Sequence, residues 1–390
     1  MARGSGGSAP TTLEQLLSAK EIVVTCGSGG VGKTTTAAAL GTMAALHLGG
    51  KVLVVTVDPA KRLASAMGLE RFGNVEVQVP AETFAAAGLD PRGQLWAAML
   101  DTKQSWDDLV RRHAPDATTR DAILANPLYQ NVTGKFVQSH DYIAMERLYE
   151  LHSSGVYDLI IVDTPPTRNA LDFLEAPERM ADFFSSRLLR WLLAPYRSRF
   201  VNAASRPFYQ VADRILGSAF LQDIAEFFIL FQSMYDGFVA RARAVERVLE
   251  DRRTTFVVVS TLESSPAHEA AFFIRALADR RLHLGALVLN KVLPDYLLDH
   301  AATEAAAHLA ADPGGVAAAV PASVGEPAMV ARVLHDVGES FLNFQVAANR
   351  EATERAELGT TPEVVAAVPY FDTDIFDLAG LARVGEQLWR

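Results

Sequence analysis

Residues 27–34 read Gly-Ser-Gly-Gly-Val-Gly-Lys-Thr, a G-x-x-x-x-G-K-T string set between two kinds of pattern. Before it, Glu21-Ile22-Val23-Val24-Thr25-Cys26 is short and β-branched, as a strand is. After it, Thr35 to Leu46 is alanine-rich, as a helix is. A chain that passes from strand to helix through such a loop has few folds open to it. The glycines let backbone N–H groups turn inward around phosphate oxygens, and the helix N-terminus adds partial positive charge. Gly27, Ser28, Gly29, Gly30, Val31, Gly32, Lys33, Thr34 and Thr35 are therefore the expected phosphate cradle for a nucleoside triphosphate. Lys33 is expected to reach the β- and γ-phosphates, and Thr34 to ligate Mg²⁺ directly.

The rest of the chain agrees with a parallel sheet. Short apolar runs recur at 21–26, 51–57, 75–79, 94–99, 158–163, 255–260, 284–290 and 364–368, several of them continuous rather than alternating. That is how strands covered on both faces read. The expected fold is α/β, a doubly wound and mostly parallel sheet of the P-loop NTPase kind with an inserted helical subdomain. Residues 1–12 read as a flexible lead. The ATPase core is expected over 13–101, 155–177 and 253–390, and the helical subdomain over 102–154 and 178–252, intervals too long for plain crossovers. The second carries dense apolar and aromatic content, from Phe183 and Trp191 through Phe208 to Phe227, Phe231 and Phe238. Residues 312–327 read as a surface loop and 328–356 as a long amphipathic helix.

Two strand ends supply carboxylates. Thr56-Val57-Asp58-Pro59-Ala60 delivers Asp58 beside the loop, where a carboxylate orients the attacking water; a plain polar strand cap is the alternative. Ile160-Ile161-Val162-Asp163 is the Walker B pattern, with Asp163 holding Mg²⁺ through water. Asp58 and Asp163 are both expected to meet the metal through water. The segment after Asp163, up to Asn169, is expected to sit near the γ-phosphate and act as a switch.

Composition excludes other chemistries. The single cysteine, Cys26, leaves no internal disulfide and no CxxC zinc site. The nine histidines form no HxxxH or HExxH pair. A net charge of −10 gives little support to nucleic acid or an anionic membrane as the main partner. With no apolar signal-like segment and no run of membrane-spanning length, a cytosolic protein is expected, and no nucleic-acid partner.

Taken together, Gly-Ser-Gly-Gly-Val-Gly-Lys-Thr-Thr-Thr, Thr-Val-Asp-Pro-Ala and Asp-Thr-Pro-Pro-Thr-x-x-x-Leu-x-Phe-Leu resemble the deviant P-loop ATPases. Within those they resemble the ArsA family of arsenite-pump and tail-anchored-protein-targeting ATPases. The resemblance implies ATP and Mg²⁺ as cofactors, catalytic roles for Lys33, Asp58 and Asp163, and a nucleotide-sandwich dimer. It also implies that Asn290 reads adenine and that Pro369 lies in the adenine loop. A bare strand-end loop is the alternative for the last two.

Three departures follow. The family's signature lysine, which reaches the partner's phosphates, is Ser28 here. Pro-Thr-Gly-His becomes Pro-Thr-Arg168-Asn169. The metalloid-binding cysteines are missing, which sets arsenite transport aside. The first departure points to a heterodimer with a paralogue that keeps the lysine, unless Arg62 or Arg168 replaces the charge. The expected function is a nucleotide-switched chaperone or targeting subunit with a hydrophobic client helix or membrane-protein partner. The alternatives are a ParA/MinD-like positioning ATPase and a nucleotide-binding scaffold. The helical subdomain either forms a client groove or simply packs.

Overall fold

The computed structural model describes residues 11–57, 61–69, 73–130, 137–164, 179, 182, 226–231, 233–321, 323–358 and 362–389. Within them eight strands form one sheet, in the order β3-β4-β2-β5-β1-β6-β7-β8. They are β1 (Ile22–Cys26), β2 (Lys51–Thr56), β3 (Val77–Gln78), β4 (Gln94–Met99), β5 (Leu159–Asp163), β6 (Thr254–Ser260), β7 (Leu284–Val292) and β8 (Val364–Pro369). Only β3 runs antiparallel, against β4. The expected doubly wound, mostly parallel α/β sheet is present.

Chain direction and burial explain each other. β1 is buried along its whole length. Ile22, Val24 and Cys26 join one apolar cluster, while Val23 joins the other. Period-2 alternation thus sends successive side chains into two separate cores, which is why the strand is apolar apart from the hydrogen-bonded Thr25.

Helices α1 (Leu13–Ser18), α2 (Lys33–His47), α3 (Lys61–Ala66) and α4 (Ala81–Ala86) precede α5 (Thr102–His113), α6 (Ala117–Ala125) and α7 (Val137–Ser153). Then come α8 (Tyr235–Glu250), α9 (Ser264–Asp279), α10 (His300–Ala311), α11 (Pro313–Ala318), α12 (Pro327–Leu358) and α13 (Leu378–Trp389). The expected lead is partly structured: Thr12 caps α1, its side chain accepting from the Gln15 N–H. Residues 1–10 lie outside the described set. The expected loop at 312–327 contains α11, because Asp312 caps it and Pro313 opens it.

One face of the sheet carries α2, with α13 packed beside it against β8. Ala37, Ala38, Ala39, Leu40, Met43 and Ala44 are all buried. Small residues set the spacing. A Cβ on Gly41 would come within 2.4 Å of Val54 Cγ2, and one on Gly385 of α13 within 2.2 Å of Met43 Cγ. The other face carries α5, α7, α8 and α9. There Trp106 and Tyr142 stack at 5.8 Å, and Phe238 meets Phe231 at 5.6 Å. Phe227, Phe231, Met234 and Phe238 are buried in this core. The remaining aromatics expected between 183 and 220 lie outside the described residues.

Candidate functional site

The carboxyl end of β1 is where the sheet opens. β1 has β5 on one side and β6 on the other, the switch point at which α/β sites form. Gly27 leaves the strand with φ +151°, and a Cβ there would stand 2.0 Å from the Val259 carbonyl oxygen of β6. Only glycine can pass that strand so closely. Gly30 (φ +80°) and Gly32 (φ +99°) then turn the loop through left-handed backbone that side chains avoid. A Cβ on Gly32 would meet Asn290 Nδ2 at 2.2 Å. The bare glycine therefore lets Asn290 Nδ2 donate to the Val31 carbonyl at 2.7 Å.

α2 begins at Lys33 with no side chain capping its N-terminus. Its first N–H groups face the loop's hollow, a ready site for phosphate oxygens. Lys33 is buried, and its Nζ donates to the Ser28 carbonyl at 2.7 Å. The ammonium thus lies folded back across its own loop.

Asp163 ends β5, in register with Thr25 of β1 and Thr56 of β2. It is fully buried. Its Oδ2 accepts from Thr34 Oγ1 at 2.6 Å and from Thr56 Oγ1 at 2.9 Å. Thr34 gives its proton to Asp163, so its oxygen lone pairs point elsewhere and suit a hard cation. The residues present fit Mg²⁺, with Thr34 as direct ligand and Asp163 behind it. The glycine cradle fits a polyphosphate for the steric reasons given. Thr56 was not singled out in the sequence, although its place at a buried strand end two residues before Asp58 was the available signal. Beside Asp163, Thr164 Oγ1 donates to the Thr25 carbonyl at 2.8 Å, pinning the start of the segment that follows.

The sheet also brings Asn290 and Pro369 together. β7 and β8 pair Asn290 with Val368 and Val292 with Pro369, across an irregularity where Lys291 takes φ +59°. The Tyr370 N–H donates to the Val292 carbonyl at 3.1 Å. Asn290 Oδ1 accepts from the Lys291 N–H at 3.0 Å. Asn290 is thus a clamp on the phosphate loop, a contact that the strand-end reading did not anticipate. Asp58, Arg168 and Asn169 lie outside the described residues. Arg62 lies in α3.

Two buried hydroxyl oxygens, Ser28 Oγ in the loop and Thr261 Oγ1 just past β6, have no hydrogen-bond partner among the described residues. Cys26 is buried, and desolvation pushes its thiol far above the ordinary cysteine range. No thiolate is available there for soft-metal or metalloid binding. Among the described residues no group of three or more His, Cys, Asp and Glu is placed to hold a metal ion.

A family model described as anion-transporting ATPase matches residues 20–308. The chain belongs to the ArsA ATPase family. As a member it is an ATPase. Among its relatives is an "ATPase ASNA1 homolog" of Entamoeba dispar, 26% identical over 297 residues, covering 74% of this chain and 81% of that protein. An "ATPase GET3" of Malassezia globosa is 25% identical over 287 residues, covering 73% and 77%. An uncharacterized protein of Streptomyces coelicolor, SCO2128, is 30% identical over 276 residues, covering 69% and 62%. The ArsA match spans every described site residue except Pro369. It stops inside α10, so α12, β8 and α13 lie beyond it. Among the described residues no helix is long and apolar enough to cross a membrane.

Proposed function

We propose that this chain is a Mg²⁺-dependent ATP hydrolase that works as a nucleotide-switched subunit of a cytosolic dimer. One observation carries the reading: a single buried carboxylate, Asp163, gathers the hydroxyls of Thr34 on the phosphate loop and Thr56 on β2. Mg²⁺·ATP, when bound, supplies the electrophilic γ-phosphoryl group and a cation that offsets charge on its oxygens. The chain's own residues do the rest. Lys33 and the first N–H groups of α2 receive the β- and γ-phosphate oxygens. Thr34 holds the metal side, with Asp163 fixing its hydroxyl. Asp58, expected at the end of β2, orients water for in-line attack. Asn290 and Pro369 frame the adenine, and Asn290 also ties the base side to the loop through Val31. Asp163, which would stand behind the metal, leads directly into the segment that begins at Thr164, so that segment would sense the state of the site.

Ser28 stands where the ArsA resemblance places a trans lysine. A trans cation of this kind is worth about 10³–10⁵ in turnover where an arginine finger supplies it. The reading is therefore a heterodimer with a P-loop paralogue that keeps the lysine, with one competent site. The client is a hydrophobic helix of the kind a targeting ATPase carries, and the helices over the second face of the sheet read the nucleotide state for it. Two observations disfavour the other readings. The apolar face of α13, a candidate membrane-surface helix for a positioning ATPase, is packed inward with Leu378, Leu381 and Leu388 buried. Anion transport of the metalloid kind lacks its thiolates, since Cys26 is sealed in the sheet.

The test is purification of the chain alone and with a lysine-bearing paralogue, reading mass by light scattering and phosphate release with Mg²⁺·ATP. Turnover only in the mixed complex, or in the lone chain after Ser28→Lys, supports the reading. Fast stoichiometric turnover by the unaltered chain alone overturns the heterodimer.

A further inference from the structure

β7 ends with its alternation broken. Ala286 and Val288 face the core that holds α2, and Leu287 and Leu289 face the opposite core. Alternation therefore sets Asn290 on the α2 face, where it meets the phosphate loop. Val292 ought to share that face, yet it joins Leu287 and Leu289 in the opposite core. The extra residue is Lys291, whose φ of +59° lies in left-handed backbone that a lysine adopts at a cost. The pairing of β7 with β8 slips at the same point, from Asn290 with Val368 to Val292 with Pro369. An irregularity of this kind re-aims a side chain beside a site.

The aimed group is the Asn290 carboxamide, and what each end meets assigns it. A backbone N–H only donates, so the end 3.0 Å from the Lys291 N–H is Oδ1. A carbonyl oxygen only accepts, so the end 2.7 Å from the Val31 carbonyl is Nδ2. That second bond sets the plane of the next peptide. In a trans peptide the C=O and N–H point in opposite directions. With the Val31 carbonyl held on Asn290, the Gly32 N–H points away from β7, toward the hollow that the loop encloses. No hydrogen bond among the described residues takes up that N–H. Only a short side chain with both a donor and an acceptor makes this pair of bonds. Aspartate has no donor, and alanine reaches neither partner.

We propose that Asn290 is a positioning residue for the phosphates. By holding the Val31 carbonyl it aims the Gly32 N–H at a phosphate oxygen, whatever base the nucleotide carries. This rests on the nucleotide-binding reading of the loop and adds to the base contact that the ArsA resemblance gives Asn290. The carboxamide keeps one hydrogen and one lone pair for that contact. The two roles separate on a ligand that has phosphates and no base.

The test compares Mg²⁺·tripolyphosphate with Mg²⁺·ATP by calorimetry on the full chain. Asn290→Ala should weaken tripolyphosphate binding about tenfold or more, the worth of one aligned hydrogen bond to a charged group, and ATP binding by at least as much. Asn290→Leu keeps the branched shape without the amide and should lose as much as Asn290→Ala. It also answers for that variant if the smaller side chain loosens the strand end, and melting temperatures without ligand show which variants fold. Lys33→Ala should remove tripolyphosphate binding, as it must if the loop holds the ligand. Unchanged tripolyphosphate affinity in Asn290→Ala overturns the proposal, and a loss confined to ATP leaves Asn290 a base reader only. Binding by Asn290→Leu equal to that of the unaltered chain overturns it too, because filling the space would then suffice. The readout is binding, so a need for a partner chain in hydrolysis does not disturb it. If the unaltered chain binds neither ligand, the ATP reading fails and this inference with it. If the unaltered chain and the variants bind both alike, this inference alone falls.

Discussion

Two hydroxyls converge on Asp163 from different elements, and this sets what its replacement does. Asp163→Asn keeps the volume but turns one acceptor oxygen into a donor amide, which meets hydroxyls that themselves donate. Turnover should fall on the order of 100-fold, the cost of losing one positioned charge-stabilising group. Nucleotide affinity should change less, because the loop N–H groups and Lys33 are untouched. Phosphate release measured across a Mg²⁺ titration checks this. A variant that turns over normally at saturating Mg²⁺ would mean that Asp163 is only a structural tie. At this scale the sequence was legible wherever a residue type has few uses. Gly32, Lys33, Thr34 and Asp163 could be named before their geometry was known. Thr56 could not, because a threonine at a strand end is ordinary until the partner across the sheet is visible. The bond of Asn290 to Val31 was not legible, since it spans 259 residues and depends on the space left by a glycine.

At the scale of elements, close approach decides stability. α13 lies on α2 through Gly385, where a Cβ would stand 2.2 Å from Met43 Cγ. Gly385→Val should cost about 1–3 kcal/mol through overpacking, read as a lower denaturation midpoint with unchanged slope. The amino end of the sheet carries a charged clamp. His152 Nε2 and Glu21 Oε2 lie 2.8 Å apart, and Arg253 bonds both Glu21 and Asp251. The hydrogen bond from Arg253 holds the Asp251 carboxyl at about 2, and the His152 contact leads in lowering Glu21. Both carboxyls titrate below their unfolded values. Their stabilisation is full above about pH 4.5 and is lost as pH falls toward 2. Solvent screens both groups, which keeps the loss under about 1 kcal/mol. Melting temperatures between pH 6 and pH 2 should show it, and Asp251→Asn should flatten that part of the curve. Strands and their direction were legible from continuous apolar runs, and 328–356 was close to the observed α12. α11 was not, because its opening Pro-Gly-Gly reads as a loop and only Asp312 holds it as a helix.

For the whole molecule, the doubly wound architecture followed from where apolar runs and glycines fall, because a strand buried on both faces leaves few alternatives. The core expected over 253–390 takes in the last eighty or so residues. They come after the part of the chain that matches the family, yet β8 and α13 belong to the same sheet and core as the phosphate loop. Consider a chain cut after residue 308. β7 would become the outermost strand, with a row of unpaired N–H and C=O groups and apolar side chains on both faces. α2 would lose its cover over Met43. Such an edge is a template for end-to-end sheet addition between molecules. The shortened chain should be recovered largely as aggregate, and any soluble fraction should bind a hydrophobic dye that the full chain does not. The tail is thus the molecule's guard against polymerisation, and the boundary that family resemblance suggests is the wrong place to divide it.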